Sequence, residues 1–340
     1  VGARLTGSTA GRGARGADPA DARRAAALTA RIADELCARS DVPLRLAGSE
    51  TTRTGSLVVR FDGRRPCIAK AALRPTTAPR LQANLAALEA LTTSAWLVAP
   101  LDGLISEPIA SFEVDGCFCT VETLLPGRCG VAAAETPREV RLLTSAAIEL
   151  ITDLQIASRV PRVIDERAYA ELVVPAVDRV AAAAARAGRL SAYERACDWL
   201  RGAVVGRELP VVYSHGNYWL GNVLVQGERR IAGIIDWDSA IPRSLPLTDA
   251  LYFVIRSEAL IARSSVGEAT VGLLEAVPDT CAGALAGHAR ALDVPDELRK
   301  PLTFSCWIQH VDTHCRFGTG AITNARWLQR NVATVLDALR

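Results

Sequence analysis

The feature that most constrains this 340-residue chain is a change in hydrophobic period near residue 126. Before that point short alternating runs recur, at Leu44–Ala47, Ser56–Phe61 and Pro66–Ala71, with Asp62-Gly63 placed between the last two as a hairpin turn. One helix is expected among them at 79–92, where Leu81, Leu85, Leu88 and Leu91 recur at helical spacing. Further strands are expected at 97–105, 111–115 and Cys117–Glu122, and Pro126-Gly127 ends the run. Beyond it the period is helical. Thr136-Pro137-Arg138-Glu139 forms a capping box opening a helix to about Ser158, an Ala-rich helix ends near Gly188, and Ser191 to Glu194 repeats the box. An island of strands at 211–214, 223–226 and 231–236 interrupts the helices, which then run to the end. This pattern predicts an α+β, bilobal plan, with a β-rich N-terminal lobe at 18–125 and a helical C-terminal lobe at 126–340. Asp18-Pro19 caps a first helix reaching about Arg39, and residues 1–17, rich in Gly, Ala and Arg, are expected to form a flexible leader.

Composition removes several classes of function. Thirty-nine basic residues against 37 acidic ones leave a net charge of +2, too balanced for a nucleic-acid or membrane-surface protein. No apolar run approaches the ~20 residues of a membrane span, and the first twenty residues lack a secretory core, so a cytoplasmic location is expected. Nine scattered cysteines without CxxC spacing are expected to be free thiols. Cys306, His310 and His314 share one helix face beside Cys315; zinc is conceivable, but one helix rarely supplies a tetrahedral site, and helix packing is expected. Only Lys70 and Lys300 are lysines, and Met is absent, a bias expected of a GC-rich bacterial genome. A lysine retained under such a bias is a candidate for a place that needs a compact ammonium, the alternative being chance survival.

The chemistry concentrates in Ser214-His-Gly-Asn-Tyr-Trp-Leu-Gly-Asn222 and, a dozen residues on, Ile235-Asp236-Trp237-Asp238. A polar loop runs into one strand and a second strand ends in Asp236, so Asn222 and Asp236 should converge. An amide and a carboxylate oxygen suit magnesium, which draws its remaining ligands from water and substrate phosphates. On spacing alone, a hairpin with incidental polar residues remains the alternative.

These residues resemble the signature of the aminoglycoside phosphotransferase/choline kinase-like family, which has the protein-kinase-like fold. The family pattern is His-Gly-Asp, four residues, Asn, then an Ile-Asp-Trp motif; this chain has His215-Gly216-Asn217, Asn222 and Ile235-Asp236-Trp237. Leu245-Pro-Leu-Thr-Asp249 is similar to the family segment whose Asp braces the catalytic loop. The resemblance implies a phosphotransferase using ATP or GTP with Mg, whose metal ligands are Asn222 and Asp236. It further implies that Lys70 contacts the α/β-phosphates, that the Gly48–Ser56 turn with Ser49 and Ser56 covers them, and that the Glu122–Gly127 hinge holds the purine through backbone at Glu122 and Leu124.

Two positions depart from the pattern. Asn217 stands where the family has its catalytic Asp; a carboxamide can accept a hydrogen bond but cannot take a proton at neutral pH. Phosphoryl transfer leans on positioning and charge neutralisation, so Asn217 is expected to slow catalysis without necessarily abolishing it. Asp238 is the candidate to deputise, and His215 is expected to stabilise the loop. Asn84 aligns with the helix Glu that pairs with the strand lysine in the family, and Glu89, roughly 140° around the helix, cannot replace it.

Two functions follow. The first is a phosphotransferase acting on a hydroxyl of a small molecule or peptide. The second is a kinase-like binding partner in a biosynthetic complex, catalytically silent or nearly so, which Asn217 and Asn84 favour. A hydrolase is disfavoured, since neither Gly-x-Ser-x-Gly nor His-Glu-x-x-His occurs. The expected acceptor helices, at 137–205 and 255–316, carry no dense acidic cluster of the kind an aminoglycoside would need.

Overall fold

The computed structural model describes residues 19–40, 42–52, 55–94, 101–227, 230–318 and 320–339. The expected leader at 1–17 and the cap at Asp18 lie outside these residues. Helix α1 (Pro19–Arg39) precedes strands β1 (Leu44–Thr51), β2 (Ser56–Gly63) and β3 (Cys67–Ala72), helix α2 (Ala78–Thr93), and strands β4 (Pro108–Val114) and β5 (Cys117–Thr123). The five strands form one antiparallel sheet in the order β1-β2-β3-β5-β4.

The period of two along each strand sorts this sheet into two faces. Leu57, Val59, Phe61, Cys67, Ala69, Ala71, Cys119 and Val121 point to one face, where Leu28, Ile32 and Leu36 of α1 complete a small core. Ser56, Val58, Ile68 and Lys70 belong to the other face, which lines the cleft between the lobes. Alternation alone therefore sends Lys70 towards the cleft.

The second lobe begins with β6 (Arg128–Cys129), α3 (Gly130–Ala133) and α4 (Pro137–Ser158), then β7 (Val160–Val163), α5 (Glu166–Leu172), α6 (Val174–Arg186) and α7 (Leu190–Val204). It continues with β8 (Glu208–Ser214), β9 (Val223–Gln226), β10 (Arg230–Ile234) and β11 (Ile241–Ser244). Helices α8 (Thr248–Ala262), α9 (Val266–Glu275), α10 (Asp279–Ala291) and α11 (Arg299–Arg316) follow, with short helical turns to residue 338. The strands make two three-stranded sheets, β10-β9-β6 and β11-β8-β7. A large core centred on Ile148, Ile151, Tyr218, Trp237, Phe253 and Trp307 unites helices and strands. The α+β bilobal architecture thus agrees with the sequence expectation.

Several local expectations change. Residues 101–105 form a turn ending in a single bridge from Ile105 to Ile234, while 97–100 lie outside the described residues. Strands β7 and β11 are not legible in sequence, because they are short and acquire partners only from β8. The capping box at Thr136–Glu139 forms with both of its hydrogen bonds. The second box does not: the cap position falls two residues earlier, at Arg189, with α7 starting at Leu190 and no side-chain cap, and Arg189 is tied instead to Asp337. All nine cysteines are free. Cys306 Sγ faces the Thr248 carbonyl and His310 Nδ1 meets the Tyr252 hydroxyl, so this face packs helices. Among the described residues no group of three His, Cys, Asp or Glu side chains could hold a metal, and no helix is long and apolar enough to cross a membrane.

Candidate active site

The loop after β8 is shaped by a carboxylate from another element. Asp249, buried in the first turn of α8, accepts hydrogen bonds from Ser214 Oγ (2.9 Å) and Gly216 N (3.0 Å) on one oxygen. Its other oxygen accepts from His215 N (2.8 Å) and Gln155 Nε2 (3.2 Å). Gly216 sits at φ +75°, and a Cβ there would lie 2.0 Å from the Ser239 carbonyl oxygen, so glycine alone fits. His215 is fully buried; its Nε2 donates to the Ile235 carbonyl (3.0 Å) and its Nδ1 accepts from Asn217 N (3.3 Å). A bare, accepting Nδ1 requires the neutral ring, and burial, which lowers its pKa, maintains that state. His215 therefore acts as a bracket between the loop and the strand leading to Asp236.

The β9–β10 hairpin brings the two expected metal ligands together. Val223 pairs with Ile234, so Asn222 and Asp236 flank its open end, and Ile235 N donates to the Asn222 carbonyl at 2.9 Å. Asn222 Nδ2 donates to the Asn217 carbonyl at 2.9 Å, which leaves Oδ1 as the side chain's acceptor atom. Asp236 lies just beyond β10, not in it, at φ +61°, a left-handed conformation costing about 1 kcal/mol for a residue with a Cβ. Lys70 Nζ reaches Asp236 Oδ1 at 3.3 Å across the cleft and Glu122 Oε1 at 2.7 Å. Desolvation opposes ionisation of Asp236, yet the Lys70 charge and hydrogen bond, with a smaller contribution from groups that include Arg80, together outweigh it and hold the carboxyl below the ordinary range. Desolvation likewise opposes the Lys70 charge, and the two carboxylates override it, holding the ammonium above its ordinary pKa.

A cavity of about 730 Å³ opens between the lobes, within the range of nucleotide-sized sites, and its walls include Ser56, Lys70, Glu122, Leu124, Asp236 and Asp238. Ser49 is not one of them: β1 extends through Thr51, placing Ser49 exposed in the strand opposite Val59. The turn is thus shorter than the Gly48–Ser56 span expected, because strand pairing continues past Gly48. At the hinge, Thr123 N donates to the Glu107 carbonyl and Leu124 N to the Pro66 carbonyl, so neither N–H remains for a purine. Glu122 turns its side chain to Lys70. Asp238 is engaged by Arg80 Nε of α2 at 2.6 Å and by Ser239 Oγ at 3.0 Å; the carboxylate expected to deputise as base instead joins the lobes.

An amide oxygen and an ionised carboxylate at one hairpin end fit a magnesium ion that takes its other ligands from phosphates and water. The counter-ion of Lys70 escapes the sequence reading, although a signal exists. Lys70 pairs with Thr120 in the β3–β5 register, so Glu122, two residues on, is its diagonal neighbour on the same face. The Arg80–Asp238 pair, 158 residues apart, leaves no local signal.

A bilobal sheet-and-helix fold with a lysine facing an Asn/Asp pair across the cleft defines a kinase-like phosphotransferase architecture. The model of the Phosphotransferase enzyme family (APH) matches residues 49–242, more than half of the chain, and the chain belongs to that family. Among solved structures, a macrolide 2'-phosphotransferase from Brachybacterium faecium is 17% identical at a TM-score of 0.50, with 90% of this chain and 97% of that one covered. An ethanolamine kinase from Plasmodium vivax is 7% identical at a TM-score of 0.53, covering 97% and 96% respectively. These two likenesses concern the fold. No curated protein sequence matches the chain.

Proposed function

We propose that this protein transfers the terminal phosphoryl group of ATP or GTP to a hydroxyl of a small-molecule or peptide acceptor. The observation that carries the reading is the meeting of Lys70 with Asp236 across the cleft, beside Asn222. Lys70 would bind the α/β-phosphates and Ser56, near the turn, would face them from β2. Asn222 Oδ1 and the Asp236 carboxylate would hold magnesium, which supplies charge neutralisation at the β- and γ-phosphates when bound. Asn217 would orient the acceptor hydroxyl, and the proton would leave to solvent or phosphate, since a carboxamide cannot take it. Residues 18–125 would form the nucleotide lobe and 126–340 the acceptor lobe. Nine free thiols favour a reducing, cytoplasmic setting.

Calorimetric titration with ATP and GTP, with and without magnesium, tests this reading. Binding is expected only with magnesium, with slow turnover, and Asn217→Asp is expected to raise turnover by about 100-fold, the contribution of a general base. No nucleotide binding would overturn the reading. Magnesium-dependent binding with no turnover in either form would instead establish the silent binding partner that Asn217 favours.

The surroundings of Asn217 bear on the acceptor. Trp219, two residues on, carries the Arg256 guanidinium 4.0 Å from its ring centroid. Burial first, with the nearby Arg256 charge, pushes the pKa values of His310 and His314 down, so these rings are neutral and Arg256 is the charge that sits on Trp219. A polycationic aminoglycoside would be repelled there, and a neutral or anionic acceptor would not. Kanamycin is therefore expected to be neither bound nor phosphorylated; a phosphorylated product seen by mass spectrometry would refute this acceptor class.

A further inference from the structure

Asn84 occupies the helix position where a carboxylate would be expected to hold the strand lysine, which by itself suggests a damaged site. The side-chain geometry shows a different arrangement. Lys70 Nζ meets Glu122 Oε1 at 2.7 Å, and Glu122 Oε2 accepts from Asn84 Nδ2 at 3.1 Å. Asn84 Oδ1 accepts from Trp237 N at 2.9 Å, and the neighbouring Asp236 returns to Lys70 at 3.3 Å. These contacts and the Asp236–Trp237 peptide link close a ring, in which Asn84 and Glu122 are each only 4% exposed.

We infer that Glu122 on β5, not a carboxylate on α2, is the positioning residue for Lys70, and that Asn84 joins this pair to the segment carrying Asp236. The inference rests on the reading of Lys70 as a phosphate-binding residue. The chemistry of position 84 supports it. This position must donate to a carboxylate and accept from a backbone N–H at once, and a carboxamide does both on two separate atoms. An Asp or Glu would set two buried like charges together, and an apolar residue would orphan both partners. Asn84 is thus matched to Glu122.

Two consequences follow from where the pair sits. Lys70 and Glu122 belong to adjacent strands of one sheet, so their contact forms with the sheet itself and needs no inward swing of α2. Lys70 also shares its charge between Glu122 and Asp236. Were Asp236 to hold magnesium, Glu122 would still hold the ammonium and so keep it from competing for that carboxylate.

A charge-relocation cycle tests the ring. In Glu122→Gln the new amide meets Asn84 Nδ2 donor to donor, and in Asn84→Asp two carboxylates confront each other. In the double variant the amide introduced on β5 would donate to the carboxylate introduced on α2, which still accepts from Trp237 N. The carbonyl oxygen of the same new amide would accept from Lys70. The readouts are the thermal midpoint without ligand, the Kd for ATP at saturating magnesium, and the magnesium concentration giving half-maximal ATP binding. Each single variant is expected to lower the midpoint and weaken ATP binding by ~10-fold, the worth of one charge-assisted hydrogen bond, and the double to recover most of both losses. Glu122→Gln should also raise the magnesium requirement, which a purely structural role would leave unmoved. The inference is overturned if the double is no better than the worse single, or if the singles lower the midpoint while leaving Kd and magnesium requirement unchanged. Should the wild type bind no nucleotide, the phosphotransferase reading falls, and recovery or non-recovery of the midpoint still decides the ring.

Discussion

Asp249→Ala is expected to lower the unfolding free energy by about 4 kcal/mol and to abolish magnesium-dependent nucleotide binding. The magnitude follows from what truncation leaves behind: the Ser214 hydroxyl, the His215 N–H and the Gln155 amide lose their acceptor, and Gly216 N keeps only its longer bond to Ser214 Oγ at 3.2 Å. Each buried donor without a partner costs on the order of 1–3 kcal/mol, partly relieved by rearrangement or entering water. The loss of binding follows because the loop carrying Asn217 is moulded by those bonds. Asp249→Asn should fall between, since its amide accepts on one atom only. Urea unfolding of the three proteins measures the effect, and a change below about 1 kcal/mol, the low end of that cost, for Asp249→Ala would show that the loop holds its shape without the carboxylate.

The second large effect concerns acid. His288 on α10 is 1% exposed, and burial lowers its pKa from 6.5 to about 4. Thr152 donates its hydroxyl hydrogen to the Ile148 carbonyl, so His288 Nδ1 must carry the proton shared with Thr152, and Nε2 stays a bare, buried nitrogen with no partner. Protonation would place a charge and an unmatched N–H there. His310 and His314 are displaced in the same direction by burial.

For a base with a lowered folded pKa, the unfolded chain binds the extra proton first. Stability is therefore full above pH 6.5, falls as pH drops towards 4 through the folded pKa, and levels below it. His288 alone contributes about 3 kcal/mol across that window, a large part of a typical ~10 kcal/mol total. Urea midpoints at about pH 7.5 and about pH 4.5, either side of most of that window, should differ accordingly, and His288→Leu should flatten part of the slope. An unchanged slope in that variant would assign the acid sensitivity to other groups. Glu268, lowered from 4.5 to about 2 mainly by its hydrogen bond to Arg330, loses its contribution between those values, mostly below the histidine window.

Sequence alone determined the two-lobe plan, because period-two and helical patterns are local properties of a chain. It also determined which face of β3 bears Lys70 and that Asn222 and Asp236 flank a hairpin, since β9 and β10 are separated by only a short turn. Edge strands β7 and β11 stay hidden: four-residue runs carry little pattern, and their hydrogen-bond partner lies on β8. The same limit applies with more consequence at the candidate site. In sequence Asn84 reads as a lost carboxylate, because alignment compares one position at a time, whereas a lysine is neutralised by whichever carboxylate is near it in space. Glu122 reads as hinge and Asp238 as a spare base for the same reason. Tertiary structure decided both, by pairing β3 with β5 and by packing α2 against the segment after β10. Coulomb and hydrogen-bond energies depend on distance across the folded molecule, so the partners of its buried charges were set only when the sheet and the lobes came together.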